Sequence, residues 1–295
     1  EARSILDSKG RVCGVLAGRP RGTSFDKTLE RTVSFLESED HADEFKASES
    51  KHRRGPFATL AFGMSFGGGQ KTAQRLAMGT HGDLVRRFLS NADVGCIANF
   101  ADSAFRTWSP RLYDYYRTTL HKASAHTKQP LNFPGSCFAA MSVNMGGQVC
   151  CFKHRDCVNL AFGWCAIAAL GDSDPEKGGY FVLWDLKLLI EFPPGSTILI
   201  PSAIFSHSNT SIGKHERRFS VTQYTAGALF RWVENGFKTD EELRVHDPNH
   251  FTHMQSLRAS RFEKGISMYC TLDELCKDIM KPFFFSFCFS NVHVF

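Results

Sequence analysis

Ten cysteines are present, at 13, 96, 137, 150, 151, 157, 165, 270, 276 and 288, yet no two of them form a CxxC pair. Zinc fingers and ribbons hold their ion between paired ligands on tight turns, so this spacing argues against a structural zinc module. No secretory signal is visible, and the thiols are expected to be reduced, mostly buried and unpaired, in an intracellular setting. The chain starts at Glu1 rather than a methionine, so it is expected to be a fragment or a processed chain. A run of about 18 apolar residues is missing, which leaves no helical membrane span to expect. There is no GxSxG elbow for a serine hydrolase and no GxxxxGK[ST] phosphate loop. The run Gly67–Gly69 lacks the Lys-Ser/Thr ending, although Lys71 is near, and reads as a flexible loop. Excess charge is small. A net +5 is compatible with a polyanionic partner without requiring one.

What is present suits a globular chain. Hydrophobic residues make up 42% and charged residues 22%, and 27 phenylalanines promise a sizeable aromatic core. Length allows one large domain, or one with extensions. Residues 1–24 lack periodicity and read as an irregular lead-in. Leu29, Val33 and Leu36 have the spacing of an amphipathic helix over Phe25 to Glu37. Ser38 to Arg54 is polar and expected to be loose, and its closing run Lys51-His52-Arg53-Arg54 reads first as a solvated linker. Phe57 to Phe62 fits a buried strand. Residues 72–90 and 102–124 look helical, the second broken near Pro110.

From Phe138 to Tyr224 the pattern becomes strand after strand: FAAMSVNM, QVCCFKH, GWCAIAAL, YFVLWDL, KLLIEF, STILIPSA, FSHSNTSI and RFSVTQYT. Gly, Pro, Asp, Asn or charged residues separate them, as turns require. So many short strands in one stretch suggest a closed or two-sheet barrel, with the preceding helices packed outside one sheet. The class is therefore α+β, mainly β. Weak helical patterns follow at Thr239 to Arg244 and Leu272 to Met280. The terminal PFFFSFCFSNVHVF either packs on the core or is not a natural terminus.

Within the strand region lies a metal-ligand pattern. His154 and Asp156 flank one residue on an extended segment, so both side chains leave on the same side. His207, 53 residues later, can supply a third ligand. Two imidazoles and one carboxylate on one face of an iron leave the other face open for co-substrate and oxygen. A lone HxD pair is weak evidence, because chance pairs are common. The pattern gains weight from Arg218-Phe-Ser220, eleven residues after His207. A barrel-facing guanidinium suits a dicarboxylate, Ser220 faces the same way, and an unpaired arginine there would be costly. This combination points to an oxygenase using Fe(II), 2-oxoglutarate and O2.

The segment His154-Arg-Asp-Cys-Val-Asn159 resembles the HRDxxN motif of the TET/JBP dioxygenases, which oxidise the methyl group of modified pyrimidines in DNA. ERRFSVTQY is similar to that family's RxSxxxY segment. RRGPF, FGMSFGGGQ, EFPPGSTILIPSA, the HSN around His207, RFSVTQYTAG and LFRWVENGF resemble its expanded, transposon-associated branch in mushroom-forming fungi. Together these phrases cover about residues 53 to 237.

The resemblance implies a double-stranded β-helix (jelly-roll, cupin-like) at about 138–225, within a dioxygenase domain at 55–237. Residues 1–54 are the lead-in with its helix and basic linker, and 238–295 a C-terminal extension. It implies His154, Asp156 and His207 as iron ligands, and Arg218 with Ser220 as the 2-oxoglutarate site. Asn159 would lie near the target base. The histidine that the animal enzymes place after the RxS strand has no counterpart, and Gln223, Tyr224 and Thr225 are the candidates to contact the base. DNA is the partner implied, and the nucleus the location, with no obligate protein partner evident. The expected reaction is 5-methylcytosine to 5-hydroxymethylcytosine and beyond. N6-methyladenine demethylation, hydroxylation of a non-DNA substrate and an inactive DNA-binding relic are the alternatives.

Overall fold

The computed structural model describes residues 1–39, 45–77 and 79–279. Its strands are β1 (Arg3–Leu6), β2 (Val12–Gly18), β3 (Thr59–Ser65), β4 (Gln74–Arg75), β5 (Ala140–Asn144), β6 (Cys165–Gly171), β7 (Phe181–Leu183), β8 (Leu188–Ile190), β9 (Thr197–Ile200), β10 (His207–Asn209) and β11 (Arg218–Tyr224). Its helices are α1 (Thr23–Glu39), α2 (Ala47–Ser50), α3 (Gly82–Ser90), α4 (Ala92–Trp108), α5 (Pro110–Thr127), α6 (Gly227–Glu234), α7 (Asp240–His246), α8 (Pro248–Ser256), α9 (Arg261–Ile266) and α10 (Leu272–Ile279). Eight strands form one antiparallel sheet in the order β1-β2-β9-β6-β11-β5-β3-β4, and β10-β7-β8 form a second.

Strand periodicity explains how the layers meet. On β6 and β9, Cys165, Ile167, Ala169, Ile198 and Ile200 turn toward Phe181 and Leu183 of the small sheet. Their neighbours Ala168 and Leu170 turn the other way. There they meet Phe25 and Leu36 of α1, Phe88 of α3 and Ile97 of α4, together with Phe219 and Val221 of β11. Burying one such side chain stabilises the fold by about 1.5–3 kcal/mol. The two facing sheets make the expected jelly-roll core, with helices outside the larger sheet.

Local chemistry sets the helix ends. Asn91 caps α4 by accepting from Asp93 N and Val94 N at 2.9 and 3.1 Å. Pro110 stands in the first turn of α5, where its missing N–H costs nothing, so the expected break falls at Ser109 between α4 and α5.

Several expectations need correction. Residues 1–24 are not irregular, since β1 and β2 form a hairpin on the edge of the large sheet. Val12 to Val15 are buried on both faces, which removes the alternation that marks a half-buried strand. Asp7 builds the turn, its carboxylate accepting from Lys9 N and Arg11 N at 2.9 and 3.0 Å. QVCCFKH is extended but lies outside every ladder. Isolated backbone bridges hold its two ends, Gln148 to Arg218 and His154 to His207, and between them the Asn209 side chain pins it, accepting from Cys151 N at 2.8 Å and donating to Val149 O at 3.2 Å. The helix expected over 72–90 occupies only α3, because Gln74 and Arg75 pair with β3 and Gly79 has φ +52°.

The nine cysteines among the described residues are all free, four of them buried, two half-buried and three exposed. No helix among these residues is long and apolar enough to cross a membrane. The run PFFFSFCFSNVHVF lies outside them.

Candidate metal centre

His154 and His207 face each other as a backbone pair. Each N–H donates to the other's carbonyl, at 3.0 Å from His154 and 2.9 Å from His207. Asp156 is set by its own N–H to Ser202 O at 2.9 Å and by a turn in which Asn159 N donates to Asp156 O, also at 2.9 Å. The result brings one ligand atom from each of His154, Asp156 and His207 within 4.8 Å of one another. The Nε2 atoms lie 3.8 and 3.7 Å from the two Asp156 oxygens.

The ring orientations favour a cation. His154 Nδ1 lies 2.7 Å from Phe152 O and His207 Nδ1 lies 2.9 Å from Phe205 O. A carbonyl can only accept, so both Nδ1 atoms carry the proton and both Nε2 lone pairs point at the shared space. Burial, followed by the adjacent His207, holds the His154 imidazole well below its ordinary range and keeps it neutral. Two neutral imidazoles and a carboxylate are the donor set of a divalent iron site with open positions.

Beside this group lies Arg218, the first residue of β11 and only 2% exposed. Its NH1 donates to Val149 O at 3.2 Å, while its Nε has no partner. No carboxylate among the described residues pairs with it, and burial pushes the guanidinium down from its ordinary value. Two residues along the same face, Ser220 Oγ accepts from Asn144 Nδ2 at 2.8 Å, which leaves the Ser220 O–H free to donate. A buried cation with an unused donor and a hydroxyl beside it fits an anion, and a carboxylate suits the guanidinium fork.

Two connected spaces open around these groups. A cavity of about 30 Å³ lies among the ligands, Arg218 and Ser220, with Ile167 and Phe181 on its inner wall. A cleft of about 420 Å³ adjoins it, and Arg54, Asp156 and Thr222 line both. Asn159 and Tyr224 line the cleft. Asn159 Nδ2 donates to Ser202 Oγ at 3.1 Å, which fixes its amide.

Gln223 does not belong there. Residues 218, 220, 222 and 224 of β11 face the site, so 223 faces the helices, where its amide donates to Ala98 O of α4 at 3.1 Å. Thr225 is buried, and its hydroxyl accepts from Ala139 N at 3.0 Å, so it serves the backbone.

Three contributors escaped the sequence reading. Asn144 shares a face of β5 with Ser142, a polar pair at period two in a buried strand, and that signal was available. Thr222 shares the face of Arg218 and Ser220 by period two. Arg54 belongs to the run that reads as a solvated linker on composition and, with the Gly67–Lys71 loop, as the place for contacts if DNA is the substrate. It has no site role of its own in that reading. In fact His52 to Gly55 make a tight turn, Arg54 O accepts from Phe152 N at 2.7 Å, and the run borders the cleft. By contrast, the loop Gly67–Lys71 lines a separate pocket with α6 and α7.

No protein-family model and no curated protein matches this chain. Among solved structures, NgTET1 in complex with 5mC DNA is similar, with a TM-score of 0.53 at 12% identity over 84% of this chain and 85% of that one. An oxidoreductase of the 2OG-Fe(II) oxygenase family from Burkholderia pseudomallei has a TM-score of 0.39 at 16% identity, over 72% of this chain and 85% of its own. At such identity the first likeness is one of fold.

Proposed function

We propose that this protein is an Fe(II)- and 2-oxoglutarate-dependent dioxygenase that oxidises the methyl group of a modified base in DNA, 5-methylcytosine to 5-hydroxymethylcytosine and further. The observation that carries the reading is the buried, carboxylate-free guanidinium of Arg218 beside a His154–Asp156–His207 group. Neither feature makes sense alone. An unpaired arginine at 2% exposure needs an anion, and three protein ligands leave coordination positions of an iron open to one.

In this reading Arg218 grips the distal carboxylate of 2-oxoglutarate, and the Ser220 hydroxyl donates to the same end. His154, Asp156 and His207 hold the iron, which when bound supplies oxygen activation coupled to decarboxylation of the co-substrate. Phe152 O and Phe205 O keep both imidazoles in one tautomer throughout. Ile167 and Phe181 keep water from the inner wall. The substrate methyl enters through the cleft lined by Asn159, Thr222 and Tyr224, with Asn159 placed to bond a base edge.

DNA is supported by three things: the Arg53 and Arg54 rim of the cleft, the HRDxxN and RxSxxxY segments, and a fold likeness to a protein solved with 5mC DNA. A base must leave its stack to reach such a cleft, at a cost of a few kcal/mol. The proposal carries with it a nuclear location and a place in the fungal branch of the TET/JBP family.

The test is incubation with Fe(II), ascorbate, 2-oxoglutarate and duplexes carrying 5-methylcytosine or N6-methyladenine, with nucleosides quantified by mass spectrometry. Oxidised cytosines from the wild type and none from His154→Ala are expected. Adenine products alone would move the substrate, and absence of succinate from iron-loaded protein would overturn the proposal.

A further inference from the structure

The turn that follows the metal ligands carries an apolar side chain that packing does not explain. Val158 lies two residues after Asp156, is 73% exposed and borders the cleft. Single exposed apolar residues are ordinary on protein surfaces, so exposure alone says little. What distinguishes Val158 is the stiffness of its mounting. Gly227 N donates to Val158 O at 2.9 Å, tying the turn to the start of α6. On one side Asn159 N closes on Asp156 O at 2.9 Å, and on the other Leu160 N reaches Thr225 O at 3.3 Å. The Asn159 amide is itself held by Ser202. The side chain is β-branched and has one rotatable bond, so little freedom is lost when it is inserted somewhere. Cations flank it. Arg53 donates to Arg155 O at 3.3 Å through both terminal nitrogens, and Arg155 sits three residues before Val158.

A rigid apolar tip on a base-sized cleft that Arg53 and Arg54 also line has the design of a wedge. Side chains of this kind enter the gap that an unstacked base leaves in a duplex and offset part of the unstacking cost. We infer that Val158 occupies the vacated position in the DNA stack when the target base turns into the cleft, so that it promotes reaction on duplex but not on single-stranded substrate. This inference rests on the DNA reading proposed above.

The experiment compares wild type, Val158→Ala and Val158→Ile on one 5-methylcytosine sequence presented as duplex and as single strand. Val158→Ala is expected to lose about tenfold in kcat/KM on the duplex, the equivalent of ~1.4 kcal/mol, while single-strand turnover is unchanged. Val158→Ile keeps both. Val245→Ala is the control for a similarly exposed valine outside this cleft, 65% exposed in α7, and changes neither. A binding readout stands beside activity: 2-aminopurine next to the target brightens with wild type and less with Val158→Ala. Equal losses on both substrates, or no loss on either, would overturn the wedge while leaving the dioxygenase reading intact. A wild type inactive on both forms would overturn that reading and the wedge with it.

Discussion

Replacing Arg218 by methionine separates the cost of a buried charge from its use. The guanidinium is 2% exposed, its Nε has no partner, and NH1 makes one bond to Val149 O. An orphaned buried donor costs about 1–3 kcal/mol, and a buried ion costs several more before its partner arrives. Methionine fills much of the same space without charge. The lost bond leaves no new orphan, because Val149 O still accepts from Asn209 Nδ2 at 3.2 Å. Without 2-oxoglutarate, Arg218→Met should therefore be more stable than wild type by about 1–4 kcal/mol. At roughly 2 °C per kcal/mol for a domain of this size, that raises Tm by about 2–8 °C. With 2-oxoglutarate at about 100 times its Kd, wild type gains ~2.7 kcal/mol while the variant gains nothing. The gap in melting temperature should narrow or reverse. Thermal melts in anaerobic Fe(II) buffer, with and without co-substrate, read this directly. A variant that melts well below wild type without 2-oxoglutarate would refute the reasoning, and so would one that 2-oxoglutarate still stabilises.

Two further outcomes are expected. His154 is held neutral in the fold, its imidazole pushed down from 6.5 to about 4, so the unfolded chain takes up that proton first as pH falls. Stability of the metal-free protein is therefore fully present above pH 6.5 and declines toward about 4, by up to ~1.4 kcal/mol per unit. Urea titrations at several pH values should show a smaller slope in His154→Gln. Gln223→Ala should cost about 1 kcal/mol in denaturant, by removing the bond to Ala98 O, and leave kcat unchanged in the nucleoside assay.

The legible part of the molecule was legible because its chemistry is periodic or local. Alternation on β11 puts Arg218 and Ser220 on one face and Phe219 and Val221 on the other, and the HxD spacing puts two ligands on one side. Gln223 was misread because its closeness in sequence to Tyr224 was weighed above that same alternation. β2 was hidden because small and apolar residues buried on both faces have no period to find. Residues 148–154 have a strand-like pattern, but only isolated bridges at Gln148 and His154 join them to β11 and β10, and the Asn209 side chain fills in between, a substitution no local pattern announces. Arg54 was legible only as part of a basic run, a solvated linker on composition and a place to look for contacts if DNA is the substrate. Only the contact of its backbone with Phe152, 98 residues away, brings it to the cleft.

The two imidazoles owe their separation to a single pair of facing peptide groups, His154 with His207. Between them Asp156 adds the third ligand and Phe205 O fixes the His207 ring, while most of residues 157 to 204 returns the chain to that meeting point without setting the spacing itself. A change of loop length in that interval, away from the ligands and from Arg218, would leave the ion the same two donors. A slip of one residue within the pair is a different matter. It would turn one ring to the opposite face and leave a jelly roll intact in outline but unable to hold a metal. The place where this fold and its chemistry are joined is two residues wide.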